Sequence, residues 1–211
     1  QYAPDDAILA TSTSGLLITE IAKYAKHPER IVGVHPYNPP HIIPLIEIVK
    51  GEKTSDEVAK EVYEFFTELG KVPVILNKEV KGYIGNRLQA CLMREVVDLV
   101  EKDVVSLEDA EKALTFGPGI RWGIMGQAHN FYLGGGDKGL EGFMDNIGGS
   151  MELWLKDMDP WTEFPKDMSK IYKQMDEAIA NRDPKIGNNP KDMNTYRTKM
   201  LIEILRLHGL M

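Results

Sequence analysis

The sequence is poor in cysteine, in basic charge and in long apolar runs. Its one cysteine, Cys91, excludes an intramolecular disulfide and fits a reducing compartment. No apolar run approaches the ~18 residues that a membrane span needs, and no signal peptide follows the first residues. The expectation is a cytoplasmic protein without a membrane partner. Lys and Arg number 25 against 32 Asp and Glu, a formal net charge of −7. No broad basic face is implied, which argues against a nucleic-acid partner, although a small basic pocket is still allowed. An initiating Met is also lacking. The chain opens on Gln1-Tyr2-Ala3-Pro4 and by Ala7 has entered an apolar, strand-like run; it reads as the remainder of a longer protein.

The 211 residues are 43% hydrophobic and 27% charged, the profile of a globular chain of one domain or two small ones rather than a disordered one. Strands are expected at Ala7–Thr11, Ile31–Val34, Leu45–Val49 and Val72–Leu76. Between them fall a helix over Leu16–Ala25 and a second opened by a Thr54–Glu57 capping box, with Val58, Val62, Phe65, Phe66 and Leu69 inward and Gly70 at its end. Pro36, Pro39, Pro40 and Pro44 rule out regular structure across the stretch that follows the second strand. After residue 80 strand patterns stop. A long amphipathic helix is expected over Tyr83–Val100, another from Ser106 to about Phe116, and a last one over Met193–Leu207, with breaks at Gly117-Pro118-Gly119 and Gly134-Gly135-Gly136. The fold class is therefore an α/β N-terminal part, residues 1–80, followed by an all-α part, residues 81–211.

Glu47 is the most informative residue. It lies within Leu45-Ile46-Glu47-Ile48-Val49, and a carboxylate inside a buried strand is costly unless paired. His35 ends the preceding apolar run, and the Pro-rich loop lets the two strands return side by side. Cross-strand neighbours lie ~5 Å apart at Cβ, close enough for an imidazole and a carboxylate to pair. That pair is either the base and its orienter in an acid–base site or a structural ion pair. Ser14 follows a strand, where open α/β sheets bind ligands, but it also suits an ordinary cap. Asn86 is either an amide donor toward a substrate oxygen or a surface residue near a helix start. Arg121, beside Trp122, could grip a carboxylate in bidentate fashion or lie across a core indole. Gly134-Gly135-Gly136 lacks the Lys-Ser/Thr of a phosphate loop. His27, His41, His129 and His208 show no ligand-like spacing, so no metal site is expected.

Four blocks in order resemble the 3-hydroxyacyl-CoA dehydrogenase family: Ala10-Thr11-Ser12-Thr13-Ser14-Gly15-Leu16, Gly33-Val34-His35-Pro36-Tyr37-Asn38-Pro39, Leu45-Ile46-Glu47-Ile48-Val49 and Gly82-Tyr83-Ile84-Gly85-Asn86-Arg87-Leu88. The resemblance implies the end of a Rossmann-type sheet, NAD as cofactor, and reversible oxidation of a 3-hydroxyl in the chemistry of fatty acid metabolism. It implies His35 as catalytic base, Glu47 as its orienter, Ser14 near both substrate hydroxyl and nicotinamide, Asn38 near the cofactor, and Asn86 on the substrate oxygen. It also implies a homodimer through the helical part and a small-molecule substrate, acyl-CoA or hydroxy acid.

Two features depart from the family pattern. No Gly-x-Gly-x-x-Gly occurs among the residues, so this chain alone is expected to bind NAD poorly and to be inactive. Gly119-Ile120-Arg121-Trp122-Gly123 resembles instead the branch acting on free hydroxy acids, of the L-carnitine dehydrogenase and L-gulonate 3-dehydrogenase (lambda-crystallin) type. There Arg121 would meet a free carboxylate and Trp122 a trimethylammonium group. The alternatives to an enzyme are a non-catalytic structural protein and a free-standing dimerisation fragment.

Overall fold

The computed structural model describes residues 3–211. By packing the chain divides into two compact units: one runs to Ala90 and includes Arg197–Met211, and the other is Cys91–Tyr196. In the first unit a four-stranded sheet has the order β1-β2-β3-β4. These strands are β1 (Leu9–Thr11), β2 (Ile31–Pro36), β3 (Leu45–Lys50) and β4 (Val72–Leu76). β1 and β2 run parallel, β2 and β3 antiparallel, and β3 and β4 parallel. The Pro-rich loop between β2 and β3 makes the reversal.

Strand parity sorts the side chains into two layers. Val32 and Val34 of β2 and Ile46 and Ile48 of β3 pack with Val58, Ala59 and Val62 of α2 (Asp56–Glu68). On the opposite face Ile31, Val49 and Leu76 pack with Ile18 and Ala22 of α1 (Ile18–Ala22) and with Tyr83. His35 and Glu47 share the parity of Ile31 and Val49. They therefore point to the α1 and Tyr83 side, away from α2. Gly33 shares that parity, and a Cβ there would come within 2.8 Å of Ile18 Cδ1.

Several helix expectations are corrected. α1 is only Ile18–Ala22, shorter than Leu16–Ala25. The cap of α2 is Ser55, whose hydroxyl accepts from the Val58 N–H, rather than Thr54. Thr54 is buried and works inward: its hydroxyl donates to the Ile31 carbonyl at 2.5 Å and accepts from the Gly51 N–H at 2.9 Å. The α2 face is narrower than its spacing suggested. Ala59 replaces Phe65 and Leu69 in the core, and those two are 55% and 59% exposed. Gly70, with φ +71°, ends α2 in the left-handed conformation that a C-terminal cap requires.

α3 covers Gly85–Glu101 and begins after Tyr83, whose φ of +52° is not helical. The expected apolar stripe of its first turns is exposed at Ile84, Leu88, Cys91 and Leu92. Its buried residues are Val97, Asp98 and Val100. The second unit contains α4 (Leu107–Leu114), a π-type turn at Thr115–Gly119 kinked at Gly117, α5 (Ile120–Trp122), α6 (Gln127–Gly134), α7 (Gly139–Asp157) and α8 (Ser169–Ala180). α9 is Pro190–Leu207. Val97, Val100, Leu107 and Ile171 form the second unit's core. Among the described residues no helix is long and apolar enough to cross a membrane.

Candidate active site

His35 and Glu47 occupy directly opposed positions of the antiparallel β2–β3 ladder. His35 Nδ1 lies 2.7 Å from Glu47 Oε2. Glu47 is fully buried and His35 is 6% exposed. Glu47 Oε1 accepts the backbone N–H groups of Ile84 at 2.8 Å and Gly85 at 3.0 Å. Those two donors suit a carboxylate, which can only accept, and leave Oε2 to take the proton on Nδ1. In that tautomer Nε2 keeps its lone pair. Among the described residues Nε2 has no protein hydrogen-bond partner. A buried imidazole with one nitrogen anchored and the other free to take a proton is the arrangement of a general base.

The turn before α3 builds this arrangement. Gly82 (φ +78°) and Tyr83 (φ +52°) are consecutive left-handed residues, and they turn the chain so that the N–H groups of Ile84 and Gly85 face Glu47. The Tyr83 ring is buried 5.5 Å from the His35 ring, at 63° to it, and its hydroxyl donates to the Leu16 carbonyl at 2.9 Å. Tyr37 approaches the imidazole edge-on at 6.0 Å and 81°. It also covers Gly85, where a Cβ would lie 2.5 Å from Tyr37 Cε2. Burial pushes the Tyr37 phenol above its ordinary pKa, and the charge of Glu47 adds to the rise. Burial likewise raises Tyr83; Glu79 and Glu47 add to it, while a bond with Thr13 opposes it.

The same turn holds the loop after β1. The Gly82 N–H donates to the Gly15 carbonyl at 3.3 Å, and the Asn86 amide donates to the Ser14 carbonyl at 2.8 Å. Gly15 has to be a glycine here, since a Cβ would come 2.9 Å from the Gly82 nitrogen. Asn86 is therefore partly engaged by the protein itself, and only its second amide proton and its carbonyl oxygen remain for a ligand. The Ser14 side chain is exposed, and so is Asn38, two residues beyond β2. The structure thus brings His35, Glu47, Asn86 and the Ser14 backbone together. Arg121 lies on α5 of the second unit with an exposed side chain, and the neighbouring Trp122 indole donates to Gln127. Among the described residues no group of His, Cys, Asp or Glu is arranged to hold a metal.

Sequence reasoning missed Tyr37, Tyr83 and the N–H groups of Ile84 and Gly85. The flanking glycines of Gly82-Tyr83-Ile84-Gly85 were the available signal, since one must turn left-handed and the other must admit a ring.

Ser14 and Asn38 follow β1 and β2 at the carboxyl ends of parallel strands, where nucleotides sit in open α/β sheets. An exposed hydroxyl and an exposed amide fit the carboxamide end of a nicotinamide. A diphosphate finds no Gly-x-Gly-x-x-Gly cradle among these residues. The donor set fits one end of NAD.

Family models and known proteins match most of the chain. Residues 1–80 match the 3-hydroxyacyl-CoA dehydrogenase NAD binding domain, and residues 82–174 match the 3-hydroxyacyl-CoA dehydrogenase C-terminal domain. An L-carnitine dehydrogenase of Pseudomonas sp is 36% identical over 98% of this chain and 63% of its own length. One of Streptomyces coelicolor is 34% identical over 98% and 63%. The chain thus spans less than two thirds of the length of these relatives. Among solved structures, an NAD+ dependent dismutase, 5-formyl-3-hydroxy-2-methylpyridine 4-carboxylic acid 5-dehydrogenase, superposes with a TM-score of 0.78 at 26% identity, covering 98% of this chain and 64% of its own. A 3-hydroxyacyl-CoA dehydrogenase of Archaeoglobus fulgidus gives a TM-score of 0.54 at 27% identity, covering 98% and 69%.

Proposed function

The chain belongs to the 3-hydroxyacyl-CoA dehydrogenase family, and from that premise we propose that it carries the base of an NAD-dependent dehydrogenase acting on the 3-hydroxyl of a free hydroxy acid. The observation that carries this reading is the buried His35–Glu47 bond, with Nε2 left to take a proton. His35 Nε2 removes the hydroxyl proton. Glu47, fixed from behind by two backbone N–H groups, stabilises the imidazolium that forms and keeps the ring from rotating. The remaining amide proton of Asn86 holds the substrate oxygen, and the Ser14 hydroxyl lies on the loop to which Asn86 bonds. Bound NAD supplies the hydride acceptor, as it does throughout nicotinamide chemistry. Ser14 and Asn38 would hold its nicotinamide end.

A free carboxylate rather than a thioester is favoured by relatives named L-carnitine dehydrogenase and by a structural neighbour whose named substrate is a pyridine carboxylic acid. Arg121 is the residue we assign to that carboxylate. The same reading includes a homodimer through the helical unit, supported by exposed Tyr132, Leu133, Met144 and Trp154 on α6 and α7; sedimentation of the protein tests it.

The deciding experiment is a substrate panel on the full-length protein, acetoacetyl-CoA against free acids such as carnitine and gulonate, followed by NADH absorbance. The reading expects turnover of a free acid, and an Arg121→Met variant with a raised KM for it. Preference for the thioester, or an unchanged KM in that variant, would overturn the substrate assignment.

A further inference from the structure

The turn at residues 82–86 bonds to both sides of the site. Gly82 and Asn86 bond the loop carrying Ser14, and Ile84 and Gly85 bond the carboxylate behind His35. Tyr83 sits at its centre. It is fully buried. Its hydroxyl reaches the Leu16 carbonyl, and its ring lies against the His35 ring. It also holds φ +52°, a left-handed conformation that is strained for a residue with a Cβ and persists where the surroundings enforce it.

We propose that Tyr83 is a positioning residue for the base, an inference that rests on His35 being that base. Its ring blocks imidazole rotation from one side. Its left-handed backbone aims the next two N–H groups at Glu47. Its hydroxyl ties the turn to the Leu16 carbonyl and serves the stability of the fold, while the ring and the backbone place the base. Glycine would relieve the backbone strain but would remove both the ring and the hydroxyl. A flexible aliphatic side chain would fill the space without fixing the imidazole edge.

The test uses the full-length protein with Tyr83→Phe, Tyr83→Leu and His35→Gln, each checked for folding by circular dichroism and thermal melting. Tyr83→Met takes the place of the Leu variant if that one does not fold. Tyr83→Phe keeps the ring and the turn and is expected to hold kcat within about threefold of wild type, with a lower Tm. Tyr83→Leu is expected to lose about twentyfold or more in kcat, with KM for the hydroxy acid changed less than threefold. A purely structural tyrosine would lower Tm and leave the kcat of folded enzyme intact. A Leu variant with kcat within twofold of wild type overturns the inference, and so does a Phe variant as impaired as Leu, which would place the phenol in the chemistry instead. His35→Gln separates the two readings. If it is inactive while the Tyr83 variants are normal, only the positioning role fails. If it is active, the base assignment fails, and the positioning role with it.

Discussion

Glu47 and His35 face each other across a single rung of the β2–β3 ladder, and the carboxylate sits between the imidazole and two backbone N–H groups drawn from residues 84 and 85. One oxygen faces the ring and the other faces the turn. The two oxygens therefore do separable work, one setting the tautomer and the other fixing the carboxylate.

This division predicts the behaviour of Glu47→Gln. The amide oxygen continues to accept from Ile84 and Gly85, which turns the NH2 toward Nδ1. Nδ1 must then accept, so Nε2 carries the proton and cannot act as a base. The expected loss in kcat is ~10²–10⁴-fold, by analogy with wrong-tautomer variants of other His-carboxylate pairs, with KM changed only severalfold. Steady-state kinetics on the full-length protein measure it, and a variant within tenfold of wild type would show that the tautomer is not set by Glu47.

Glu47→Ala should be worse for stability than Glu47→Gln. It leaves two N–H donors and an imidazole without their acceptor in a buried space, at a cost of about 3–5 kcal/mol. Denaturant unfolding of both variants gives the comparison, and equal stabilities would contradict it.

The hydroxyls at 54 and 55 give a second test. Ser55→Ala removes the α2 cap and should cost about 0.5–2 kcal/mol. Thr54→Val removes a buried hydroxyl that bonds the Gly51 N–H and the Ile31 carbonyl, costing about 1–3 kcal/mol. If Thr54→Val is neutral and Ser55→Ala alone is costly, the inward role of Thr54 is wrong.

Much of the site was legible in the residues. An acid inside Leu45–Val49 had to have a partner, and His35 was the polar group that the Pro-rich reversal could bring to it. What was not legible came from backbone. The donors to Glu47 Oε1 lie 37 and 38 positions away and carry no side-chain signature. The left-handed Tyr83 falls in phase with the apolar period of the following helix, so its spacing does not mark it as a turn. The Thr54 and Ser55 assignment failed for a simpler reason: adjacent hydroxyls offer the same capping chemistry, and only the closeness of Ile31 decides which one turns inward. Phe65 and Leu69 have helical spacing, yet the sheet under α2 is covered by Val58, Ala59 and Val62.

Stability at alkaline pH reports on Tyr83. Burial keeps its phenol protonated to higher pH in the folded chain than in the unfolded one. Its contribution is therefore whole below the unfolded phenol's pKa of about 10 and is lost as pH rises beyond that through the folded value. Unfolding free energy measured against pH should fall less steeply above about pH 10 in Tyr83→Phe than in wild type. Identical slopes would mean that the phenol is not buried in solution.

The most direct test of the central claim is kcat for oxidation of a free 3-hydroxy acid by full-length His35→Gln, with substrate binding measured separately by calorimetry. With the base gone and the fold intact, turnover is predicted to fall by about 10³-fold or more, within the range for loss of a positioned acid–base group and its partner, while binding changes only severalfold. Turnover within tenfold of wild type would contradict the assignment of His35 as the proton acceptor.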